Sequence, residues 1–174
     1  MNLLNVDRHK IYKYGDQNLN DHGWGCVYRN IQSIRAFNNL PVPTIPEMQQ
    51  TIGIDPSGTG KQLWIEPVDA KEYFPWKTSL SLYTNTKDPE SHLLRTKLED
   101  FDTIITDKSS ADEFLHDCFS KNHRVLLDDS ISSYILTGIV DDTYVYIDPH
   151  VQTDNIRTMS RDDFYNRNLW MLMC

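Results

Sequence analysis

The feature that most constrains this chain is a ten-residue stretch, Asp21-His22-Gly23-Trp24-Gly25-Cys26-Val27-Tyr28-Arg29-Asn30, in which a glycine-rich turn runs directly into an apolar helical pattern. Val27, Ile31, Ile34 and Phe37 recur at helical steps and fall on one face, so a buried helix begins at about Cys26. Gly23 and Gly25 allow the tight bend and a close approach to a neighbour. Cys26 therefore stands at a helix N-terminus, where free N–H groups and the positive end of the helix dipole favour thiolate, the nucleophilic form of cysteine. A buried cysteine plugging a core is the competing reading. What decides between them is whether the chain also supplies a base.

With 174 residues, 39% of them apolar, the chain suits one domain over residues 1–174 with a sizeable core. The formal charge of −8, with no basic stripe, argues against a nucleic-acid partner. No apolar run approaches the ~18 residues of a membrane span, and the first seven residues lack the apolar core of a secretion signal. The three cysteines, Cys26, Cys118 and Cys174, have no metal-like spacing. They suggest free thiols in a reducing compartment, the cytoplasm, with Cys118 in the core and Cys174 inert. Neither a cofactor nor a metal is expected.

Along the chain, residues 1–10 are polar and Ile11–Tyr14 reads as a short strand. Thr44-x-x-Glu47 and Ser110-x-x-Glu113 read as capping boxes that open helices. Helices are also expected at about 62–73 and 93–101. Strands are expected at 80–84, 103–106, 124–127, 133–140, 143–148 and 169–173, with Asp141-Asp142 as a hairpin turn. A leading helix that carries a cysteine, packed on a C-terminal antiparallel sheet, gives an α+β class of papain-like type.

Asp148-Pro149-His150 is the candidate base, with a plain strand-to-turn junction as the competing reading of the same residues. Residues at i and i+2 share one side of an extended chain, and the proline favours that conformation at Asp148. Asp148 can then hold one imidazole nitrogen of His150 and leave the other to take a proton from Cys26. His22, although near in sequence, is expected at the rim, and Arg29 is expected to satisfy a carboxylate or carbonyls. The pairs Asp128-Asp129 and Asp141-Asp142 read as a solvated edge and a turn.

Trp24-Gly25-Cys26-Val27-Tyr28-Arg29 resembles the Trp-Gly-Cys-Gly-Tyr-Arg signature of the ubiquitin-fold-modifier-specific proteases (UfSP), and Tyr146-Ile147-Asp148-Pro149-His150 resembles their Asp-Pro-His segment. Further similarity lies at Trp64-Ile65, in the strand pair before Asp148 and at Phe164-Tyr165. The resemblance implies Cys26 as nucleophile, His150 as base and Asp148 as its orienter. It also implies an oxyanion-stabilising tyrosine twelve residues before the cysteine, where Tyr14 stands. Trp24 is then expected to wall a narrow slot that admits only glycine. The partner implied is a ubiquitin-like modifier, cut after its C-terminal glycine by a monomeric enzyme. The family's usual glycines between the two strands are replaced by Asp128-Asp129-Ser130, which suggests a more acidic groove, and Val27 replaces another glycine. The rival readings are a deubiquitinase, an autophagy-modifier deconjugase, and a module that binds the modifier without cutting it.

Overall fold

The computed structural model describes residues 4–174; the first three residues of the polar N-terminal stretch lie outside the described residues. Among the described residues, four α-helices are present: α1 (Cys26–Phe37), α2 (Ile45–Ile52), α3 (Lys108–Ser120) and α4 (Arg161–Tyr165). Seven strands form one sheet: β1 (Leu80–Thr84), β2 (Thr103–Ile105), β3 (Val125–Asp128), β4 (Ser133–Val140), β5 (Thr143–Ile147), β6 (Ile156–Ser160) and β7 (Leu169–Met173). Their order is β2-β1-β7-β3-β4-β5-β6. The pairing is antiparallel except between β1 and β2. The class is α+β, as expected.

Strand β7 shows why the sheet carries a layer on each face. Leu169-Trp170-Met171-Leu172-Met173 has no polar position, as a strand buried on both faces requires. Leu169, Met171 and Met173 join the core beneath α1, with Val27, Ile31, Ile34, Leu82, Leu126 and Ile135. Trp170 and Leu172 join a second core beneath α3, with Leu115, Val125, Leu127, Leu136 and Tyr144. The period-2 alternation of strand side chains sorts one apolar run between two cores.

Helix α1 is also tied to the sheet by polar contacts. The Asn30 amide donates to Ser133 Oγ at 3.0 Å, and that hydroxyl donates to the Leu127 carbonyl at 3.0 Å. The β4–β5 hairpin turns at Asp141 and Asp142, both at positive φ (46° and 59°). A register shift between Leu136 and Gly138 bends the hairpin, and Asp148 follows directly on β5.

Several expectations are corrected. Ile11–Tyr14 is not a strand; the Tyr14 N–H donates to the Pro149 carbonyl at 3.0 Å, an isolated tie to the Asp-Pro-His segment. Residues 62–73 give only a 3-10 turn, Pro67–Tyr73, and residues 93–101 give no α-helix. Helix α3 starts earlier than its apparent box, because Asp107 is the N-cap and accepts from the Ser110 N–H at 2.9 Å. Strand β6 and helix α4 are additional. Cys118 and Cys174 are joined as a disulfide with Cα atoms 6.1 Å apart, so Cys174 is not an unpartnered chain end. The thiols-only expectation fails because packing of α3 against the sheet, not sequence spacing, brings these two residues together. Cys26 is the free cysteine of the described residues. No helix among them is long and apolar enough to cross a membrane.

Candidate active site

The turn before α1 is built around one buried ion pair. Asp21 Oδ2 lies 2.7 Å from Arg29 Nε, and both side chains are fully shielded from solvent. The other Asp21 oxygen accepts from the Gly15 N–H at 2.8 Å, and the Asp21 carbonyl accepts from Trp24 and Gly25 N–H groups at 3.2 and 2.9 Å. Arg29 also donates to the Asp16 carbonyl at 2.8 Å and to Gln32 at 3.0 Å. A Cβ at Gly25 would run into the Asp21 carboxylate, and Gly23 sits at φ +84°, so each glycine has its own reason.

This frame sets Cys26, fully buried, at the first position of α1. The Tyr14 hydroxyl bonds to its thiol and also meets the Gly23 N–H. Burial, with the nearby Cys26, pushes the Tyr14 phenol up, so it keeps its proton as a donor. The Tyr14 ring packs edge-on between His22 at 5.1 Å and His150 at 5.0 Å. Cys26 and His150 are thus brought within one tyrosine side chain of each other. Gln152 secures this arrangement by donating to the Tyr14 carbonyl at 2.6 Å.

His150 Nδ1 lies 2.6 Å from Asp148 Oδ1, which also accepts the His150 backbone N–H at 3.0 Å. That leaves Nε2 as the ring nitrogen available for proton transfer. Burial alone would raise the Asp148 carboxyl, but the two hydrogen bonds from His150, aided by Arg157, hold it below its ordinary range. The carboxylate is therefore ionised and fixes the imidazole's orientation.

One expectation about the nucleophile reverses. Burial, followed by the charge of Asp128, pushes the Cys26 thiol up, and the Val27 and Ser133 N–H groups do not offset this. Desolvation outweighs the helix terminus, so a proton acceptor such as His150 becomes essential to any attack.

Asp128 itself is not part of a solvated edge. It is fully buried, its Oδ1 accepts the Ser130 N–H at 2.7 Å, and its Oδ2 has no partner. Burial pushes this carboxyl well above the usual range, and the charges of Asp129 and Glu66 add to the effect. A raised acid stabilises the fold fully below its unfolded value and loses that contribution as pH rises through the folded one. Asp128→Asn is therefore expected to melt like the parent at pH 4 and several degrees higher at pH 8, at about 2–4 °C per kcal/mol. Its Cys26 should also alkylate faster with iodoacetamide. Parallel melting curves across that pH range would remove the buried-acid account.

A cavity of about 580 Å³ is lined by Gly23, Trp64, Leu94, Ile131, Arg167 and Leu169, among others. Trp24 is not among its lining residues; that side chain is buried and packs edge-on against Tyr28 at 5.9 Å. Trp64, one of the residues that carry the sequence resemblance, lines the cavity. The groove is also less acidic than expected, because Asp128 is buried and Asp129 pairs with Arg167 at 2.9 Å. No cluster of metal-ligating side chains occurs among the described residues.

A probable Ufm1-specific protease from Oryza sativa subsp. japonica is 31% identical over 71 residues, covering 35% of this chain and 11% of the relative. Ufm1-specific protease 1 from Mus musculus is 36% identical over 66 residues, covering 34% of this chain and 30% of the relative. The chain resembles the Ufm1-specific proteases. The crystal structure of UfSP from C. elegans superimposes with a TM-score of 0.64 at 15% identity, covering 94% of this chain and 32% of that one. The papain-like fold is thereby shared with a UfSP. No family model matches the chain. The alignments take in less than a third of these relatives' lengths.

Proposed function

We propose that this chain is a thiol protease that cuts after the C-terminal glycine of a ubiquitin-like modifier, maturing its precursor and releasing it from substrate lysines. The observation that carries the reading is the Asp148–His150 pair set within one tyrosine side chain of a buried cysteine at a helix N-terminus. His150 takes the Cys26 proton through Nε2 as the sulfur attacks the glycyl carbonyl carbon. The tetrahedral oxyanion accepts from the Tyr14 hydroxyl and from the Cys26 N–H. Collapse to the thioester expels the amine, which takes the proton back from His150. Water, activated by the same imidazole, then hydrolyses the thioester and frees Cys26.

The modifier proposed is Ufm1, on the names of the relatives. The same reading has a monomer acting in the cytoplasm. The Cys118–Cys174 bond pulls the other way, since disulfides are rare there. Tail-reactive probes built on Ufm1, ubiquitin and an autophagy modifier test the reading. An adduct with the Ufm1 probe ahead of the others is expected. Preference for another modifier would reassign the substrate, and no adduct with any would overturn the protease reading.

A further inference from the structure

Among the described residues, Leu4, Leu94, Ile104, Ile131 and Val140 are the large apolar side chains left exposed. Single exposed apolar residues are ordinary. Leu94 and Ile131 differ in two ways. Both line the cavity that Gly23 also lines, with 52% and 75% of their surface exposed. And each sits on an irregular segment folded around a shielded carboxylate.

Glu66 is fully buried two residues after Trp64. Its Oε1 accepts from the Leu94 N–H at 3.0 Å, and its Oε2 accepts from the Arg95 and Thr96 N–H groups at 2.8 and 2.5 Å and from Thr96 Oγ1 at 2.6 Å. Asp129 does the same for Ile131. Its Oδ1 accepts from the Ile131 and Ser132 N–H groups at 3.0 and 2.8 Å, while its Oδ2 pairs with Arg167. Charge-assisted bonds to backbone N–H groups are among the stronger local constraints. Both segments are thus fixed, and what they hold fixed is an apolar side chain in water. Such a side chain gains nothing for the isolated chain, but its ordering cost is already met when a partner arrives.

We propose that Leu94 and Ile131 form a two-pronged apolar clasp on the modifier segment just before the scissile glycine, with Glu66 and Asp129 as the positioning residues that aim the prongs. This rests on the protease reading above. The occupant follows from continuity: the cavity reaches Gly23, whose N–H meets the Tyr14 hydroxyl beside Cys26. A chain that presents its terminal glycine to Cys26 lays its preceding residues along that cavity. The chemistry that fits is an extended strand whose apolar side chain reaches between Leu94 and Ile131.

The test uses Ufm1 extended by a short peptide past its final glycine, with cleavage kinetics on Leu94→Ser, Ile131→Ser, Ile131→Val and Glu66→Gln. The two serine variants change exposed side chains, so the fold is untouched. Each should raise KM roughly tenfold with kcat within about twofold, the scale of losing one buried apolar side chain. Ile131→Val should stay near the parent. Glu66→Gln should also act on KM, and iodoacetamide should alkylate Cys26 at the parent rate in the three variants at Leu94 and Ile131. Parent KM values in both serine variants would overturn the clasp while leaving the protease reading intact. A parent chain that cuts none of the extended modifiers would instead overturn the reading on which the clasp rests.

Discussion

Asp148→Asn is expected to lower kcat/KM by roughly 10⁴-fold while the chain stays folded, the scale seen when a triad aspartate becomes an amide. The cause lies in the 2.6 Å contact between Asp148 Oδ1 and His150 Nδ1. An amide can donate to that nitrogen, which favours the tautomer with its proton on Nε2. The acceptor for the Cys26 proton is then lost, and so is the charge that supports the imidazolium. The need is greater here than for a preformed thiolate, because burial holds the Cys26 thiol up. His150→Ala should be at least as damaging. Because the two residues act as one unit, the double variant should be little worse than the worse single one. Melting temperature measured on the same three proteins separates chemistry from folding. Additive rate losses, or near-parent activity in Asp148→Asn with a lowered melting point, would return Asp-Pro-His to being a strand-to-turn junction.

The second large effect falls on stability. Arg29→Met is expected to cost about 3–5 kcal/mol, the range for removing one partner of a buried ion pair. Asp21 would be left without its cation, fully shielded, while still holding the Gly15, Trp24 and Gly25 N–H groups. Total stability for a domain is about 5–15 kcal/mol, so the variant sits near its folding limit. Activity should fall even where the chain remains folded, because the segment from Tyr14 to Gly25 loses its anchor. The double variant Arg29→Met with Asp21→Asn should recover part of the loss, since the stranded charge is gone. Denaturant unfolding of the three variants measures this. A cost below about 1 kcal/mol for Arg29→Met would show that the pair is not what holds the turn.

The helix from Cys26 and the strands of the last third were legible because each is a local pattern: an apolar stripe at helical spacing, or alternation ended by Asp141-Asp142. Asp148 and His150 were legible for the same reason, since i and i+2 in an extended chain suffice to place them together. What was not legible depends on contacts across the chain. Trp24 adjoins Cys26 in sequence, and only the packing shows its ring against Tyr28 and Trp64 lining the cavity. Asp128 reads as surface in a run of two acids, yet the β3 register buries it. The helix terminus favours thiolate at Cys26, but desolvation, which no local pattern reveals, outweighs it. Cys118 and Cys174 lie 56 residues apart and meet only through the fold.

The most direct measurement of the central claim is to map the site of the adduct formed by the tail-reactive Ufm1 probe. The account predicts one adduct per chain, joined through Cys26 Sγ, absent in Cys26→Ala and strongly slowed in His150→Ala. An adduct on any other residue, or one that forms as fast in His150→Ala as in the parent chain, would contradict it.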